Sequence, residues 1–360
     1  MSLLYKPDWH ETKENYRKWW AHEYFGRCAI AVYAPKKNAP DIPAPPEPES
    51  IHQKWYDLDY ISQVNYYNLS RTFFGAEALP IWNGGYPGHT AIPTFLGCEV
   101  HLDMRTGWWE PILKQEDLTF EHLEIDENHP DYRFSIELLK RAIVEAQGKC
   151  LVSIGAFGGC GDTLAALRGT ERLLFDCIER PERVREAELY LTEMWCRHYE
   201  KLYNIIKKVD EGSTCWFPLW APGKFYASQN DFAYNISPSM FREVFLPAIK
   251  KQVEFLDYTI YHVDGIGNFN HIDALLELPE LQAIQILPGA GKPSPLHFIE
   301  ILKKVQKEGK NLHIAIPAGE VKTALEHLSA RGLFISTSCE TEDEALRLIE
   351  NTYRWSEDRS

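Results

Sequence analysis

The feature that most constrains the fold is an alternation of short apolar runs with amphipathic helical segments, most regular from Thr214 onward. The runs are rich in β-branched and aromatic residues, which is typical of buried strands. There are eight of them, at 28–33, 79–82, 150–155, 214–219, 258–264, 281–287, 312–316 and 333–338. Eight strand–helix units predict an α/β fold of the (β/α)8, or TIM, barrel type.

Helical patterns fill most intervals between these runs, at 131–147, 181–208, 238–256, 295–307, 320–330 and 342–353. Ser237 and Ser294 each precede a proline, so we expect a serine cap with proline in the first turn. Thr341 precedes three acidic residues and is the expected cap of the last helix, whose positive end those acids complement.

The first 150 residues depart from this regularity. We predict an N-terminal helical extension over 1–27 and a proline-rich loop over 35–48 that caps one end of the barrel. An insertion over 83–130 follows the second strand, and we interpret it as a β-hairpin or lid around 99–105. The prediction is one elaborated domain spanning 1–360.

Composition narrows the function. With 38 basic and 52 acidic residues the formal charge is -14, which argues against binding to nucleic acid or anionic membranes. The eight cysteines show no paired spacing, no signal peptide begins the chain, and no 18-residue apolar segment is present. We therefore expect a soluble, cytoplasmic protein with reduced thiols. Aromatic residues make up 13% of the chain and suggest a cleft lined by rings.

Two strand ends carry the residues best suited to chemistry. His262 and Asp264 lie two apart on one predicted strand and so point to the same side, while Cys339 and Glu340 end another. Carboxyl ends of parallel strands meet on one face, and zinc accepts imidazole, carboxylate and thiolate ligands. We predict a metal site formed by His262, Asp264 and Cys339. The alternative is a His262–Asp264 hydrogen bond beside a buried Cys339 thiol.

Other polar and aromatic residues flank these ends. We predict that Gln229, Asp231 and Glu340 orient the small molecule that reacts at this site or form hydrogen bonds to the metal ligands. The residues predicted to bind substrate are Trp82, Tyr86, His89, Trp109, Trp220 and Asn268. Each of these loop and ring positions is equally compatible with packing. The glycine-rich segment 155–162 lacks the P-loop ending, and Asp162 at its end is expected to cap a helix.

Two stretches resemble a known family. Residues 236–247, Ile-Ser-Pro-Ser-Met-Phe-Arg-Glu-Val-Phe-Leu-Pro, followed by Tyr-His-Val-Asp-Gly at 261–265, resemble the uroporphyrinogen decarboxylase superfamily. Segments 83–97 and 106–111 resemble its corrinoid-linked branch, the methylcobamide:coenzyme M methyltransferases. The resemblance covers roughly residues 80–355 and implies a barrel with its cleft at the strands' carboxyl ends. The true decarboxylases carry an arginine-rich loop after the first strand, whereas here the segment 33–37 reads Tyr-Ala-Pro-Lys-Lys, which argues against a porphyrinogen substrate.

The resemblance also implies a metal and a reaction. Those methyltransferases hold zinc through His-x-Cys on one strand and a cysteine on a later one. His262 and Cys339 match, while Asp264 stands where the first cysteine is expected, which makes an acceptor other than coenzyme M an option. The leading hypothesis is a zinc-dependent methyltransferase moving a methyl group between a corrinoid, carried by a separate protein, and a small acceptor.

Three alternatives stay open. One is a metal-free lyase of the same fold, in which His262 or Asp264 moves a proton. Another is a glycoside hydrolase with two strand-end carboxylates. The last is a corrinoid-binding barrel without catalysis.

Overall fold

The computed structural model describes residues 2–85, 87–209 and 211–359, and these contain thirteen strands. The strands are β1 (Ala29–Pro35), β2 (Thr72–Ala76), β3 (Ile81–Trp82), β4 (Val100–Leu102), β5 (Gly107–Trp109), β6 (Leu151–Ile154), β7 (Ser213–Cys215), β8 (Trp220–Ala221), β9 (Phe225–Gln229), β10 (Tyr258–Asp264), β11 (Ala283–Leu287), β12 (Asn311–Ala315) and β13 (Leu333–Ser338).

The α-helices of the same residues are α1 (Trp9–Trp20), α2 (Ile51–Tyr56), α3 (Leu58–Arg71), α4 (Ile92–Phe95), α5 (Pro130–Ala146), α6 (Asp162–Arg168), α7 (Thr170–Glu179), α8 (Pro181–Ile206), α9 (Pro238–Met240), α10 (Leu246–Phe255), α11 (Ile272–Leu276), α12 (Ile299–Lys307), α13 (Val321–His327) and α14 (Glu342–Trp355). Single 3-10 turns lie at Asp231–Asn235, Ile266–His271, Pro295–Phe298 and Ala318–Glu320, and a π-helical turn lies at Phe241–Phe245. None of these helices combines the length and the apolar character needed to cross a bilayer.

The strands form a mixed α/β fold around a largely parallel sheet. Seven strands pair in the order β2-β1-β13-β12-β11-β10-β9, and within this sheet only the edge strand β2 is antiparallel to its neighbour. A second sheet has the order β3-β6-β7-β8, with β8 antiparallel, and β4 and β5 form a separate hairpin. The described strands do not close into one ladder, so the predicted barrel is not confirmed.

The predicted strands are largely present, with one clear departure. The run at 214–219 is not a single strand: β7 ends at Cys215, and the chain turns through Pro218 before β8. Proline has no amide hydrogen for a ladder, which explains the break. The strand that pairs with β10 is instead β9, which the sequence analysis missed.

The predicted helix ends are largely present too. Ser237 accepts a hydrogen bond from the Met240 amide (3.2 Å), and Thr341 accepts one from the Glu344 amide (3.2 Å). The segment predicted as one helix over 238–256 contains the π-helical turn between α9 and α10. A π-turn shifts the side chains that follow it around the helix axis, so the packing face changes partway along.

The N-terminal helix α1 packs its tryptophans into the core. The rings of Trp9 and Trp220 meet edge to face at 5.5 Å, and Trp20 meets Phe225 at 5.5 Å. Trp20 Nε1 also donates to the Trp220 carbonyl oxygen (2.9 Å). Because both partners lie on β8 and β9, α1 is fixed to the strands that precede the candidate site.

Candidate metal centre at the carboxyl ends of the strands

Strand direction and register decide which side chains meet. Strands β9, β10 and β11 run parallel, and His262 is in register with Gln229 on one side and Gln285 on the other. These three residues therefore form a row across the sheet, close to the ends from which the following loops emerge. Asp264 closes β10 and Asp231 follows β9 by two residues, so both carboxylates lie at this edge.

Asp231, His262 and Asp264 form the only group of three or more potential metal-ligating residues found among the described residues. One ligand atom from each lies within 4.8 Å of the others, and His262 Nε2 is 3.8 Å from Asp264 Oδ2. The group has one imidazole and two carboxylates. It therefore concentrates negative charge around a nitrogen donor, which favours a cation.

The His262 ring is held from behind. Its Nδ1 donates to Gln285 Oε1, which leaves Nε2 facing the carboxylates. The Trp216 ring lies edge-on to the imidazole at 5.1 Å. Burial alone would lower the pKa of His262, but the acceptor oxygens of Asp264 and Gln285 and the negative charges of Asp231 and Asp264 raise it overall. The imidazole therefore holds a proton more firmly than an unperturbed histidine does.

The Asp231 loop is braced by Asp162, the first residue of α6. Asp162 Oδ1 accepts from the Phe232 amide (3.0 Å) and Asp162 Oδ2 accepts from Gln229 Nε2 (3.1 Å). These contacts give Asp162 a different role from the expected helix cap, since Gly161 occupies the cap position. Burial, then the negative charge of Asp231, raises the pKa of Asp162. Burial raises the pKa of Asp231, and the negative charge of Asp264 adds to the shift, whereas the charge of His262 opposes it.

A cavity of about 490 Å³ adjoins this group. Asp162, Asp231 and Phe232 line it on one side, and Trp109 and Pro111 of the segment predicted as an insertion line it on the other. Trp109 Nε1 donates to Thr94 Oγ1 (2.9 Å), which fixes the ring. The hairpin of β4 and β5 lies within the range predicted for the lid, and it brings Trp109 to the candidate site.

Cys339 and Glu340 lie elsewhere. Both line a separate open cavity of about 880 Å³ at the ends of β12 and β13, with Tyr33 and Glu344. Cys339 is not part of the close group around His262. Burial raises the pKa of its thiol, as do the charges of Glu344 and Glu340. The structure thus brings His262 and Asp264 together as the sequence predicts, with Asp231 rather than Cys339 as the third side chain.

The residues predicted to bind substrate are dispersed. Trp82 is buried at the end of β3, and Trp220 is fully buried against α1 rather than lining a cleft. His89 is fully buried between the rings of Tyr56 and Phe134. Asn268 Nδ2 donates to the Asp264 carbonyl oxygen (2.6 Å) and so supports the loop after β10. Tyr86 lies outside the described residues.

Gln285 was missed by the sequence analysis, although a signal exists. It is a single amide in the otherwise apolar strand Ala-Ile-Gln-Ile-Leu at 283–287, where a buried polar side chain needs a partner. The same reasoning applies to His313 on β12, whose Nε2 is 2.8 Å from Ser336 Oγ. A lone polar residue within an apolar strand therefore marks a buried side chain that has a hydrogen-bond partner on the sheet.

The geometry can be set beside known proteins. No protein-family model matches the sequence, and a comparison with curated proteins finds no match. Among solved structures, the fold is similar to that of a methyltransferase from Methanosarcina mazei, with a TM-score of 0.62 and 13% sequence identity. The alignment covers 95% of this chain and 98% of that chain. At this identity the likeness concerns the fold alone, and it extends over nearly the whole of both chains.

Proposed function

We propose that this protein is a metal-dependent methyltransferase whose metal is held by Asp231, His262 and Asp264. The observation that carries the proposal is the convergence of these three side chains at the carboxyl ends of neighbouring parallel strands. The methyltransferase of similar fold supports the choice of reaction. The donor and the acceptor follow the sequence resemblance: a corrinoid, supplied by a separate protein, and a small molecule.

We also propose a specific fold, a (β/α)8 barrel, on the order of the strands. In the seven-stranded sheet β9 to β13 are neighbours in chain order and β13 pairs with β1, while β3 and β6 are neighbours in the second sheet, which makes eight parallel strands. This order is the one that a (β/α)8 barrel has around its circumference. We propose that the two sheets are arcs of such a barrel, with the candidate site at its carboxyl-terminal face.

The donor set fits zinc. Zinc ligands lie about 2.0–2.2 Å from the ion, so two of them in tetrahedral geometry are roughly 3.3 Å apart. The 3.8 Å between His262 Nε2 and Asp264 Oδ2 needs only a small side-chain rotation to reach that value. Asp231, His262 and Asp264 would hold the ion with one imidazole and two carboxylates, which are ligand types that catalytic zinc sites use. We propose Asp231 in the place for which the sequence suggested Cys339.

The protein's own groups would each have a defined task. A bound zinc would supply Lewis acidity that lowers the pKa of an acceptor hydroxyl or thiol. Gln285 fixes the His262 ring with Nε2 on the side of Asp264, where it would hold the ion. Asp162 and Gln229 hold the loop that carries Asp231. Trp109, which lines the adjoining cavity, would form a wall beside the bound small molecule.

Zinc binding tests the ligand set directly. In chelator-treated protein, Asp231→Asn should weaken zinc affinity about 100-fold, because an amide is a much poorer ligand than a carboxylate. Cys339→Ser should leave the affinity within about threefold of the wild type. Competition with a chromophoric chelator measures both. If Cys339→Ser abolishes binding and Asp231→Asn does not, the ligands are those of the sequence hypothesis.

The reaction is tested separately. Wild-type protein loaded with zinc should transfer the methyl group of free methylcobalamin to a small thiol or alcohol. The acceptor loses its proton and its sulfur or oxygen bonds the methyl carbon, while the electron pair of the broken cobalt–carbon bond stays on cobalt as cob(I)alamin. Loss of the methylcobalamin absorbance measures the reaction. The zinc-free protein and Asp231→Asn are the controls. If zinc binds as described but no acceptor in a thiol and alcohol panel is methylated, the metal centre stands and the methyltransferase assignment fails.

The hydrogen bond behind His262 gives a further prediction. Gln285→Leu removes the acceptor that orients the imidazole, so zinc affinity should fall about 10–100-fold while the fold is retained. Gln282→Leu is a matched control, because that amide on the same segment bonds the backbone of Asp257 and Thr259, away from the site. Equal zinc affinities in the two variants would contradict the role assigned to Gln285.

One observation favours a second candidate, a metal-free lyase. The 3.8 Å contact of His262 with Asp264, with the pKa of His262 raised by its neighbours, describes an imidazole placed to move a proton. Zinc titration separates the two candidates, since the lyase needs no bound metal. Wild-type protein that binds no zinc at micromolar concentrations would leave this reading in place of the methyltransferase.

A further inference from the structure

A small cavity lies beside β3 and β6, and it does not include Asp231, His262 or Asp264. Its volume is about 40 Å³. Apolar side chains form most of its wall: Leu138, Leu139, Ala142, Ile154, Phe157 and Leu202. No aspartate, glutamate, lysine or arginine lines it. The wall is therefore suited to a molecule that is mainly apolar and carries no charge.

Three polar atoms of the lining residues have no hydrogen-bond partner within the described chain. They are Trp82 Nε1, Thr90 Oγ1 and His198 Nδ1. All three residues are more than nine-tenths buried, at 3%, 6% and 2% exposure. An unpaired buried polar group is destabilising, so folded proteins seldom keep one. Three such atoms belong to residues that line one cavity, in which a bound molecule would complete their hydrogen bonds.

The chemistry of these groups selects the molecule. Trp82 Nε1–H is a donor only, whereas the Thr90 hydroxyl both donates and accepts. Burial, assisted by the charge of Lys201, lowers the pKa of His198 to about 3, so its ring is neutral and Nδ1 either donates or accepts. A hydroxyl or primary amide offers both functions at once. A carboxylate or an ammonium ion would be buried without a counter-charge.

We propose that this cavity is a second binding site, specific for a small uncharged molecule with a hydroxyl or amide group, whose polar end meets Trp82, Thr90 and His198. One water needs about 10–15 Å³ of such volume, so the cavity holds roughly three waters or an organic molecule of three to four heavy atoms. The apolar part of the ligand packs against the leucines. The proposal stands independently of the metal centre.

One loop joins this site to the metal centre. Gly155 and Phe157 line the cavity, and the same loop continues to Asp162, which braces Gln229 and the Asp231 loop. The Phe157 amide donates to the hydroxyl of Tyr226 on β9 (3.2 Å). A ligand against Phe157 is thus separated from the candidate metal ligands by a few residues of hydrogen-bonded chain.

Acetamide is a suitable probe because it is small and uncharged. Acetate, an anion of the same shape, is the control. In saturation-transfer NMR on the full chain, acetamide should bind and acetate should not. Trp82→Phe and Thr90→Val each remove one hydrogen bond, so each should weaken acetamide about five- to tenfold. Ser62→Ala is the matched control, because Ser62 Oγ is also buried and unpartnered but lies outside the cavity.

A crystal soaked in acetamide gives an independent readout. The amide should appear in contact with Trp82 Nε1 and Thr90 Oγ1. Water in the cavity that acetamide does not displace would overturn the proposal, as would equal binding of acetamide and acetate or unchanged affinity in Trp82→Phe. Thermal melts establish that each variant is folded, and the soak of wild-type crystals decides the matter if a variant is not.

Discussion

Glu77→Gln is expected to lower the free energy of unfolding by about 3–5 kcal/mol, because it leaves a buried guanidinium without its counter-charge. Glu77 and Arg27 form a bidentate pair, with Arg27 Nη1 to Glu77 Oε2 at 2.6 Å and Nη2 to Oε1 at 2.7 Å. Their side chains are 1% and 3% exposed. The same carboxylate accepts from the Ile30 amide (2.8 Å) and from Asn15 Nδ2 (2.9 Å).

The carboxylate therefore satisfies four donors from three parts of the chain. Burial by itself would raise the pKa of Glu77, but the charge and hydrogen bonds of Arg27 lower it overall, so the group is ionised in the folded protein. Glutamine keeps the shape but loses the charge and replaces one acceptor by a donor that faces other donors. The variant should therefore lose stability for two reasons: the ion pair with Arg27 is gone, and one hydrogen-bond acceptor is gone.

Urea unfolding at pH 7 measures the effect. Glu350→Gln is the control, because Glu350 pairs with Arg354 on the exposed face of α14 and such pairs contribute about 0–1 kcal/mol. The double variant Arg27→Met, Glu77→Gln should be less destabilised than the sum of the two single variants, since it leaves no unpaired charge. Additive losses, or a Glu77→Gln loss no larger than that of Glu350→Gln, would contradict this account.

The residues around Glu77 stabilise a part of the sheet that is distinct from the candidate metal site. Ile30 lies near the start of β1, whereas Asp264 ends β10, so the two groups lie at opposite ends of the parallel strands. Folded Glu77→Gln protein should bind zinc as the wild type does. The comparison distinguishes residues that hold the sheet together from residues that would hold the metal.

Much of the fold was predictable because buried parallel strands are continuous apolar runs. Strands β10 and β13 have the bounds that the sequence predicts, 258–264 and 333–338. Strand β9, Phe-Tyr-Ala-Ser-Gln, was missed because Ala227, Ser228 and Gln229 have weak strand preference. It forms because its partner β10 completes its ladder. Whether the sheets close into a barrel depends on pairing between distant segments, which the local sequence pattern does not contain.

Part of the candidate site was likewise predictable from the sequence, and part was not. Period-two spacing on one strand places His262 and Asp264 on one side, and the structure brings them together. Asp231 reaches them because β9 and β10 are in register, which the sequence does not reveal. Cys339 follows β13, three strands away from β10 in the sheet order, and lines a different cavity. Shared location at strand ends is thus necessary for a ligand set but does not determine its members.

Glu188 of α8 is expected to make the stability of the protein depend strongly on pH, because the residue is only 1% exposed. Its Oε2 accepts from the Gly161 amide (2.9 Å), while Oε1 has no partner among the described residues. Burial, and to a lesser degree the negative charge of Asp162, raises the pKa of Glu188 to about 8, against the effect of the Gly161 amide. The group is therefore mostly protonated in the folded protein at neutral pH.

The sign of the stability change follows from linkage. An unfolded glutamate loses its proton near pH 4.5, and the folded one does so near pH 8. Between these values the folded state binds more protons, so the free energy of unfolding falls as the pH rises. The contribution is fully present below about pH 4.5 and is lost by about pH 8. A shift of this size corresponds to roughly 4–5 kcal/mol.

Glu188→Gln should remove most of this fall, because the amide cannot ionise and still accepts from the Gly161 amide. Urea unfolding from pH 5 to pH 9 should show a wild-type stability that declines by several kcal/mol more than that of the variant. Asp162 and Cys160 also border Glu188, and burial raises the pKa of each, so the difference between the two curves is the relevant quantity. Glu193→Gln on the same helix is the control, because Glu193 is exposed and paired with Lys251. Parallel curves for wild type and Glu188→Gln would show that Glu188 is ionised in the folded protein throughout, and hence that the loop from Gly155 to Asp162 rests on a charged rather than a neutral carboxyl.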